Sequence, residues 1–138
     1  MQRFIEAQED TWETAYLEIK RGKKKTHWMW FIFPQIKGLG VSGMSKYYAI
    51  QSMDEAKEYL NHPILGSRLK LITEAVLDLP TRDAVKVFGT IDSFKLRSCM
   101  TLFALADKDN DSVFEKVLER YFNGRMDRDT LTILGIKQ

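Results

Sequence analysis

Polar and charged side chains interrupt an otherwise apolar stretch between Asp92 and Thr101, and their types suit them to bind a ligand. Lys95 and Arg97 contribute two cations, and Ser98 and Thr101 contribute two hydroxyls. A cation in dry surroundings needs a carboxylate partner or an anionic ligand, because an unpaired buried charge is strongly destabilising. The pattern therefore leaves two interpretations open: ion pairs within the fold, or a site for an anion such as phosphate.

Other catalytic or metal-binding residues are sparse. His27 and His62 are the two histidines and Cys99 is the single cysteine, at spacings that match no zinc or haem site, so we expect no metal and no cofactor. Cys99 lies within an apolar helical pattern, which indicates a core residue rather than a nucleophile. Glu55 and Asp92 are candidate acid/base carboxylates for a hydrolase, although each also fits a position near a helix N-terminus.

Large aromatic residues are concentrated between His27 and Gln35, where two tryptophans and two phenylalanines fall within six positions. Each such side chain buries roughly 150–250 Å², so this segment must lie in the core or line a deep groove. No partner strand is visible elsewhere in the chain, and an unpaired strand would leave its backbone groups without hydrogen bonds. We therefore expect a short buried helix or an extended packed segment.

Hydrophobic periodicity predicts helices for most of the remaining chain. From Phe4 to Arg21 the pattern predicts one helix, and from Ile91 to Ala106 it predicts a wide buried apolar stripe that includes Ile91 and Phe94. The other expected helices cover approximately residues 45–50, 52–60, 63–79, 81–88, 112–122 and 127–134, with Ser45, Ser52, Thr81, Ser112 and either Asp127 or Asp129 as capping residues. These elements predict one all-α domain over residues 1–138, with about seven or eight short helices.

The overall composition indicates an ordinary globular domain of 138 residues, with 44% hydrophobic residues and a net charge of +2. The near-neutral charge argues against nucleic acid as a partner, in spite of the basic run at Lys23 to Lys25. The longest apolar run, Trp28 to Pro34, is far shorter than the ~20 residues that span a bilayer, so we expect no membrane association. No secretory signal is visible, and a cytoplasmic location is expected.

The chain contains six distinctive motifs: HWMWFIFPQ at 27–35, GLG at 38–40, SKYYAI at 45–50, HPILGSRL at 62–69, FG at 88–89 and KLRSCMTLF at 95–103. Together they closely resemble the uncharacterised domain-of-unknown-function 1810 family. The resemblance covers Phe4 to Leu131 and implies a compact multihelical domain, but it implies no reaction because the family has no established one. The usual member carries serine at the position of Cys99, which argues further against a nucleophilic role for this sulfur.

The order of the motifs along the chain is also similar to that of the helical NADAR hydrolases, which act on ADP-ribose attached through an N-glycosidic bond. This likeness implies an acid from Glu55 or Asp92 and a phosphate partner from Arg68 or Arg97. A stacking platform would then come from Trp28 or Trp30.

The leading hypothesis is that the domain binds an anionic or nucleotide-like small molecule in a groove floored by Trp28, Trp30 and Phe31. One alternative is a hydrolase of an ADP-ribose-type N-glycosidic bond or a phosphate ester. Another is a protein–protein interaction module, because tryptophan, tyrosine and arginine dominate interface energetics. The groove walls are expected to include the loop from Gly38 to Ser45. The predicted ligand-binding residues are Trp28, Trp30, Gln35, Ser45, Lys46, Tyr47, Arg68, Lys95, Arg97 and Ser98.

Overall fold

A computed structural model describes residues 1–137, and within them the chain forms ten helices and no strand. The all-α prediction is therefore confirmed. The helices are α1 (Gln2–Glu9), α2 (Trp12–Lys20), α3 (Met29–Ile32), α4 (Gly43–Tyr47), α5 (Met53–Asn61), α6 (Leu65–Leu77), α7 (Ala84–Phe88), α8 (Thr90–Ala106), α9 (Val113–Phe122) and α10 (Arg128–Ile133).

The N-terminal segment forms two helices, so the prediction of one helix from Phe4 to Arg21 is wrong. The chain bends after α1, where the Thr11 N–H donates to the Gln8 carbonyl at 3.2 Å. The buried Gln8 side chain in turn donates to the Phe31 carbonyl at 2.7 Å, which ties the end of α1 to the aromatic segment. This long-range hydrogen bond fixes the direction of α1 independently of α2.

The aromatic segment contains the short buried helix α3, as expected. Trp28 precedes it and is fully buried, and the Ile32 N–H donates to the Trp28 carbonyl at 3.1 Å. Phe33 follows α3 and is also fully buried, with its ring edge-on to Phe88 at 5.8 Å between centroids. The segment therefore lies mainly in the core and crosses it in a single helical turn.

The carboxylate of Glu18 on α2 organises the loop that leads into the aromatic segment. It accepts hydrogen bonds from the Lys25 and Thr26 amides at 2.7 and 3.0 Å, from the Thr26 hydroxyl at 2.6 Å and from Trp28 Nε1 at 3.0 Å. Burial alone would raise the pKa of Glu18, but these hydrogen bonds outweigh it and lower the pKa to about 2. An ionised buried carboxylate thus anchors the basic run to Trp28.

Helix α8 runs through the centre of the molecule and contacts α5, α7, α9 and α10. Its middle and C-terminal turns carry fully buried apolar side chains such as Leu96 and Cys99, which confirms Cys99 as a core residue. The predicted buried stripe is wrong at its N-terminal end, where Ile91 is 73% exposed and Phe94 is 62% exposed. These two side chains face a surface cavity instead of the core.

Three of the predicted helix caps are confirmed. Ser52, Ser112 and Asp127 each accept a hydrogen bond from the backbone N–H three residues later, at 3.0 to 3.2 Å. Each side chain thereby satisfies one of the unpaired N–H groups in the first turn of its helix.

The caps predicted at Ser45 and Thr81 are wrong. Helix α4 begins earlier, with Ser42 as the cap that accepts from the Ser45 N–H at 3.1 Å. Helix α7 begins later, with Asp83 as the cap, while the Thr81 hydroxyl accepts from the Asp83 N–H at 3.0 Å. In both cases two suitable capping residues lie close together in the sequence.

Two extended segments meet between α3 and α5 and form a bridge of parallel type between Ile36 and Ile50. The Ile50 N–H donates to the Gln35 carbonyl at 2.8 Å, and the Lys37 N–H donates to the Ile50 carbonyl at 2.9 Å. Both isoleucines are buried in the core. The bridge therefore holds residues 35–37 beside residues 49–51 and exposes the outer side of this pair to the cavity.

Candidate functional site

A cavity of about 530 Å³ opens between the bridged segments and the N-terminal half of α8. Trp30 of α3 and the start of α10 complete its walls. Volumes of about 300–1,000 Å³ are typical of small-molecule sites. The lining residues are Trp30, Gln35 to Gly40, Ser45, Lys46, Tyr48, Ala49, Gln51, Ile91, Phe94, Lys95, Ser98, Asp127 and Asp129.

Six of the ten predicted ligand-binding residues line this cavity. They come from four separate parts of the chain, which the bridge and helix α8 bring together. The six are Trp30, Gln35, Ser45, Lys46, Lys95 and Ser98. That they bind a ligand stays a prediction.

Lys95 is the cation with the best-defined position in the cavity. Its ammonium lies 3.6 Å from the centre of the Trp30 ring and 3.2 Å from Asp92 Oδ1. The other carboxylate oxygen of Asp92 lies 2.9 Å from the ammonium of Lys24, which is itself 5.0 Å from the Trp28 ring centre. One carboxylate thus holds two lysines, each over a tryptophan, and only Lys95 faces the cavity.

Trp28 and Phe31 do not form the floor that the sequence predicts. Trp28 is fully buried and donates its Nε1 hydrogen to Glu18, so it belongs to the core. Phe31 is 7% exposed and packs against Tyr48 at 5.2 Å between ring centroids. Of the three aromatic residues predicted to floor the groove, the cavity receives Trp30 alone.

Three further predicted binding residues, Tyr47, Arg68 and Arg97, lie outside the cavity. Tyr47 is on the outer surface of α4, 59% exposed. The Arg68 guanidinium lies 3.4 Å from Gln8 Oε1 and above the Trp12 ring. Arg97 donates to two consecutive carbonyl groups ahead of α10, those of residues 125 and 126, at 2.8 and 3.0 Å. Arg97 is therefore held by carbonyl groups, and not by the ion pair with a carboxylate that one of the two sequence interpretations offered.

The carboxylates suggested for acid/base chemistry are both engaged in structural contacts. Glu55 lies outside the cavity, where it pairs with Arg3 at 2.8 Å and accepts from the Gln51 N–H at 3.1 Å. Asp92 lies beside the cavity, between its two lysines. The carboxylates that do line the cavity are Asp127 and Asp129, and Asp127 uses Oδ2 to accept two hydrogen bonds from Thr130.

Residues that the sequence interpretation left out complete the lining. Phe94 and Ile91 supply apolar surface, while Lys37, Gln51 and Tyr48 supply polar groups. Burial raises the pKa of Tyr48, and the neighbouring Tyr47 and Glu6 raise it further, so the hydroxyl keeps its proton at neutral pH. The sequence signal that could have identified Ile91 and Phe94 as lining residues was their position next to Lys95 on one helical face. The bridge that positions the others has no sequence signature.

Residues 1–137 hold neither a cluster of side chains suited to a metal ion nor a helix suited to spanning a membrane. In this part of the chain no three His, Cys, Asp or Glu side chains converge to hold a metal ion. Likewise, none of the helices described here combines the length and the apolar character that crossing a bilayer requires.

The sequence matches the profile of DUF1810, a family of proteins of unknown function, over residues 1–134, and the chain belongs to this family. The structure is similar to the crystal structure, at 1.38 Å, of the conserved hypothetical protein Rv1873 from Mycobacterium tuberculosis. The two share 40% sequence identity and a TM-score of 0.94, over 99% of this chain and 96% of that one. No curated protein matches the sequence. The predicted family is confirmed, and neither similarity names a ligand or a reaction.

Proposed function

We propose that this protein binds an anionic, nucleotide-like small molecule in the cavity between α8 and the bridged segments. The observation that carries the proposal is the position of Lys95, whose ammonium is held over Trp30 by Asp92 and lines a cavity of about 530 Å³. A fixed ammonium loses little side-chain freedom when a ligand binds, which favours affinity.

The charges around Lys95 support an anion as the ligand. Lys24 and Lys95 share the single carboxylate of Asp92, so this group of three carries a net positive charge. Lys37 and Lys46 line the same cavity and add two further cations. Asp127 and Asp129 contribute negative charge from the start of α10, which suits a ligand that also carries hydroxyl or amino groups.

A thermal-shift titration with inorganic phosphate, ribose 5-phosphate, AMP and ADP-ribose tests the proposal. An anion present at 100 times its Kd should stabilise the protein by about 2.7 kcal/mol. Lys95→Met removes the charge and keeps the aliphatic chain, so it should abolish most of the shift. Lys70→Met, at an exposed position of α6, is the matched control and should leave the shift unchanged. If none of these anions produces a shift in the unmodified protein, the proposal is wrong.

A hydrolase of an N-glycosidic or phosphate-ester bond is the second candidate function. It is favoured by the presence of two carboxylates, Asp127 and Asp129, in the same cavity as Lys95. Such reactions need a carboxylate within reach of the bond that breaks. If the protein is a hydrolase, Asp129→Asn should lower turnover of an ADP-ribosylated nucleoside and leave its binding intact. Stable binding of such substrates without product formation would exclude this candidate.

A further inference from the structure

Two exposed apolar side chains form part of the cavity wall. Ile91 is 73% exposed and Phe94 is 62% exposed, whereas Leu96 and Cys99 on the same helix are fully buried. From these observations we infer that the bound molecule is an aromatic anion, with a flat ring that packs against Phe94 and Ile91 and an anionic group that meets Lys95. This inference rests on the proposed function and narrows its ligand class.

The arrangement of one helical face supports this combination. Ile91, Phe94, Lys95 and Ser98 occupy positions i, i+3, i+4 and i+7 of α8, which lie on the same side of a helix, and all four line the cavity. The apolar surface and the ammonium therefore lie side by side along one wall. A ligand that satisfies both must carry its ring and its charge close together, as a mononucleotide does.

Phe94 is the aromatic ring best placed to accept a flat ligand. One face of Trp30 already carries the Lys95 ammonium, and Tyr48 packs against Phe4, Phe31 and Tyr47. Among the described residues no other ring packs against Phe94. Stacking on an aromatic side chain accepts any nucleobase, because every base has a π-face.

Polar groups that line the same cavity have hydrogen-bonding capacity for such a ligand. The buried Ser98 hydroxyl donates to the Phe94 carbonyl at 3.1 Å, which leaves its oxygen lone pairs as acceptors. The Gln51 amide donates to the Ala49 carbonyl at 3.1 Å and keeps its oxygen as an acceptor. Acceptors of this kind complement the amino groups of a base or the hydroxyls of a ribose.

Inorganic phosphate and sugar phosphates can contact Lys95, but they carry no aromatic ring to cover Phe94 and Ile91. Covering exposed apolar surface is favourable roughly in proportion to its area, so the ring should add affinity beyond that of the anionic group alone. Comparison of ligands that share a phosphate and differ in the ring therefore isolates the contribution of this wall.

Calorimetric titrations of the full chain with AMP, GMP, CMP and UMP, and with ribose 5-phosphate, test the inference. At least one mononucleotide should bind about ten or more times tighter than ribose 5-phosphate. Phe94→Ala should bring that mononucleotide close to ribose 5-phosphate and leave ribose 5-phosphate itself unchanged. Val85→Ala, at a residue of α7 that is 47% exposed and outside the cavity, is the matched control and should change neither affinity.

The outcomes separate this inference from the proposed function. If ribose 5-phosphate binds as tightly as every mononucleotide, or if Phe94→Ala weakens all ligands equally, the aromatic inference is wrong and anion binding stands. If no phosphate compound binds at all, the proposed function fails and the inference fails with it. Phe94→Leu, which keeps an apolar side chain without a ring, should give an intermediate affinity; full retention of mononucleotide affinity by this variant would contradict stacking.

Discussion

The ammonium of Lys95 lies 3.6 Å from the centre of the Trp30 ring, so helix α8 and the aromatic segment around α3 are in direct contact. The same ammonium lies 3.2 Å from Asp92 Oδ1, one turn earlier on the helix. The Asp92 carboxylate and the Trp30 ring together restrict the position of the Lys95 ammonium. A flexible lysine has thereby become a positioned charge at the wall of the cavity.

Asp92→Asn should destabilise the protein by about 2 kcal/mol, because it leaves Lys24 without its carboxylate. The Lys24 side chain is only 8% exposed, and its ammonium lies 2.9 Å from Asp92 and donates to the Thr26 carbonyl at 2.6 Å, so Asp92 is its carboxylate partner. Lys95→Met should cost less than about 1 kcal/mol, since Lys95 is more exposed and its ion pair lies within one helix. Urea unfolding of both variants measures the difference. Equal losses of stability would contradict a special dependence of Lys24 on Asp92.

Gly66→Ala should destabilise the protein by at least about 2 kcal/mol, because α5 and α6 approach too closely to admit a methyl group. A Cβ at Gly66 would lie 1.9 Å from the Leu60 carbonyl oxygen, which belongs to the backbone and cannot rotate away. Gly43→Ala is the control, since a Cβ at that position of α4 meets nothing within 4 Å. This control should be neutral or stabilising by about 0.5–1 kcal/mol. Thermal unfolding compares the two, and similar melting temperatures would contradict the expected clash.

Glu18→Gln should lower stability at neutral pH by about 3 kcal/mol, a loss that disappears in acid. The pKa of Glu18 falls from 4.5 to about 2 on folding, so its contribution is complete above the unfolded pKa. As the pH falls from about 4.5 toward 2, the carboxylate of the unfolded chain takes up a proton while that of the folded protein is still ionised, so the contribution is progressively lost. Urea unfolding between pH 3 and 7 should show the curves of variant and parent converging. The stability of Glu13→Gln, a substitution at an exposed position of the same helix, should follow that of the parent across this pH range. If the stability of Glu18→Gln also followed the parent, that result would contradict the depressed pKa.

Thr101→Val should destabilise the protein by about 1–2 kcal/mol and loosen the start of α10. The Thr101 hydroxyl accepts from the Asp127 N–H at 2.8 Å and donates to the Arg97 carbonyl at 2.8 Å. Valine keeps the shape and leaves the Asp127 N–H without this acceptor. Amide chemical shifts should change for Asp127 and Asp129, whereas Thr14→Val, exposed on α2, should leave them in place. Unchanged shifts in Thr101→Val would show that this bond does not position the cavity wall.

Local patterns predicted much of the fold, because most helices here depend on short-range signals. Hydroxyl and carboxylate caps at Ser52, Ser112 and Asp127 could be read directly from the residue types. The break between α1 and α2 could not, since it depends on the buried Gln8 amide and the distant Phe31 carbonyl. Such a hydrogen bond joins segments that no local window contains.

Some residues of the candidate site were predicted from the sequence and others were not, and the reason is physical. Lys95 and Ser98 could be found because polar residues in an apolar helix need an explanation. Phe94 was assigned to the core, since periodicity cannot separate an apolar residue that faces the core from one that faces a cavity. Trp28 was assigned to the groove because a side chain of its size fits either a groove or the core. In the structure its hydrogen bond to Glu18 holds it in the core.

One wall of the cavity consists of two extended segments that share two backbone hydrogen bonds, at the Ile36–Ile50 bridge. Helices exchange their amide hydrogens slowly when they are packed in a core, whereas a short isolated pairing opens as a separate, less cooperative unit. The Lys37 and Ile50 amides should therefore exchange with deuterium faster than those in the middle of α8.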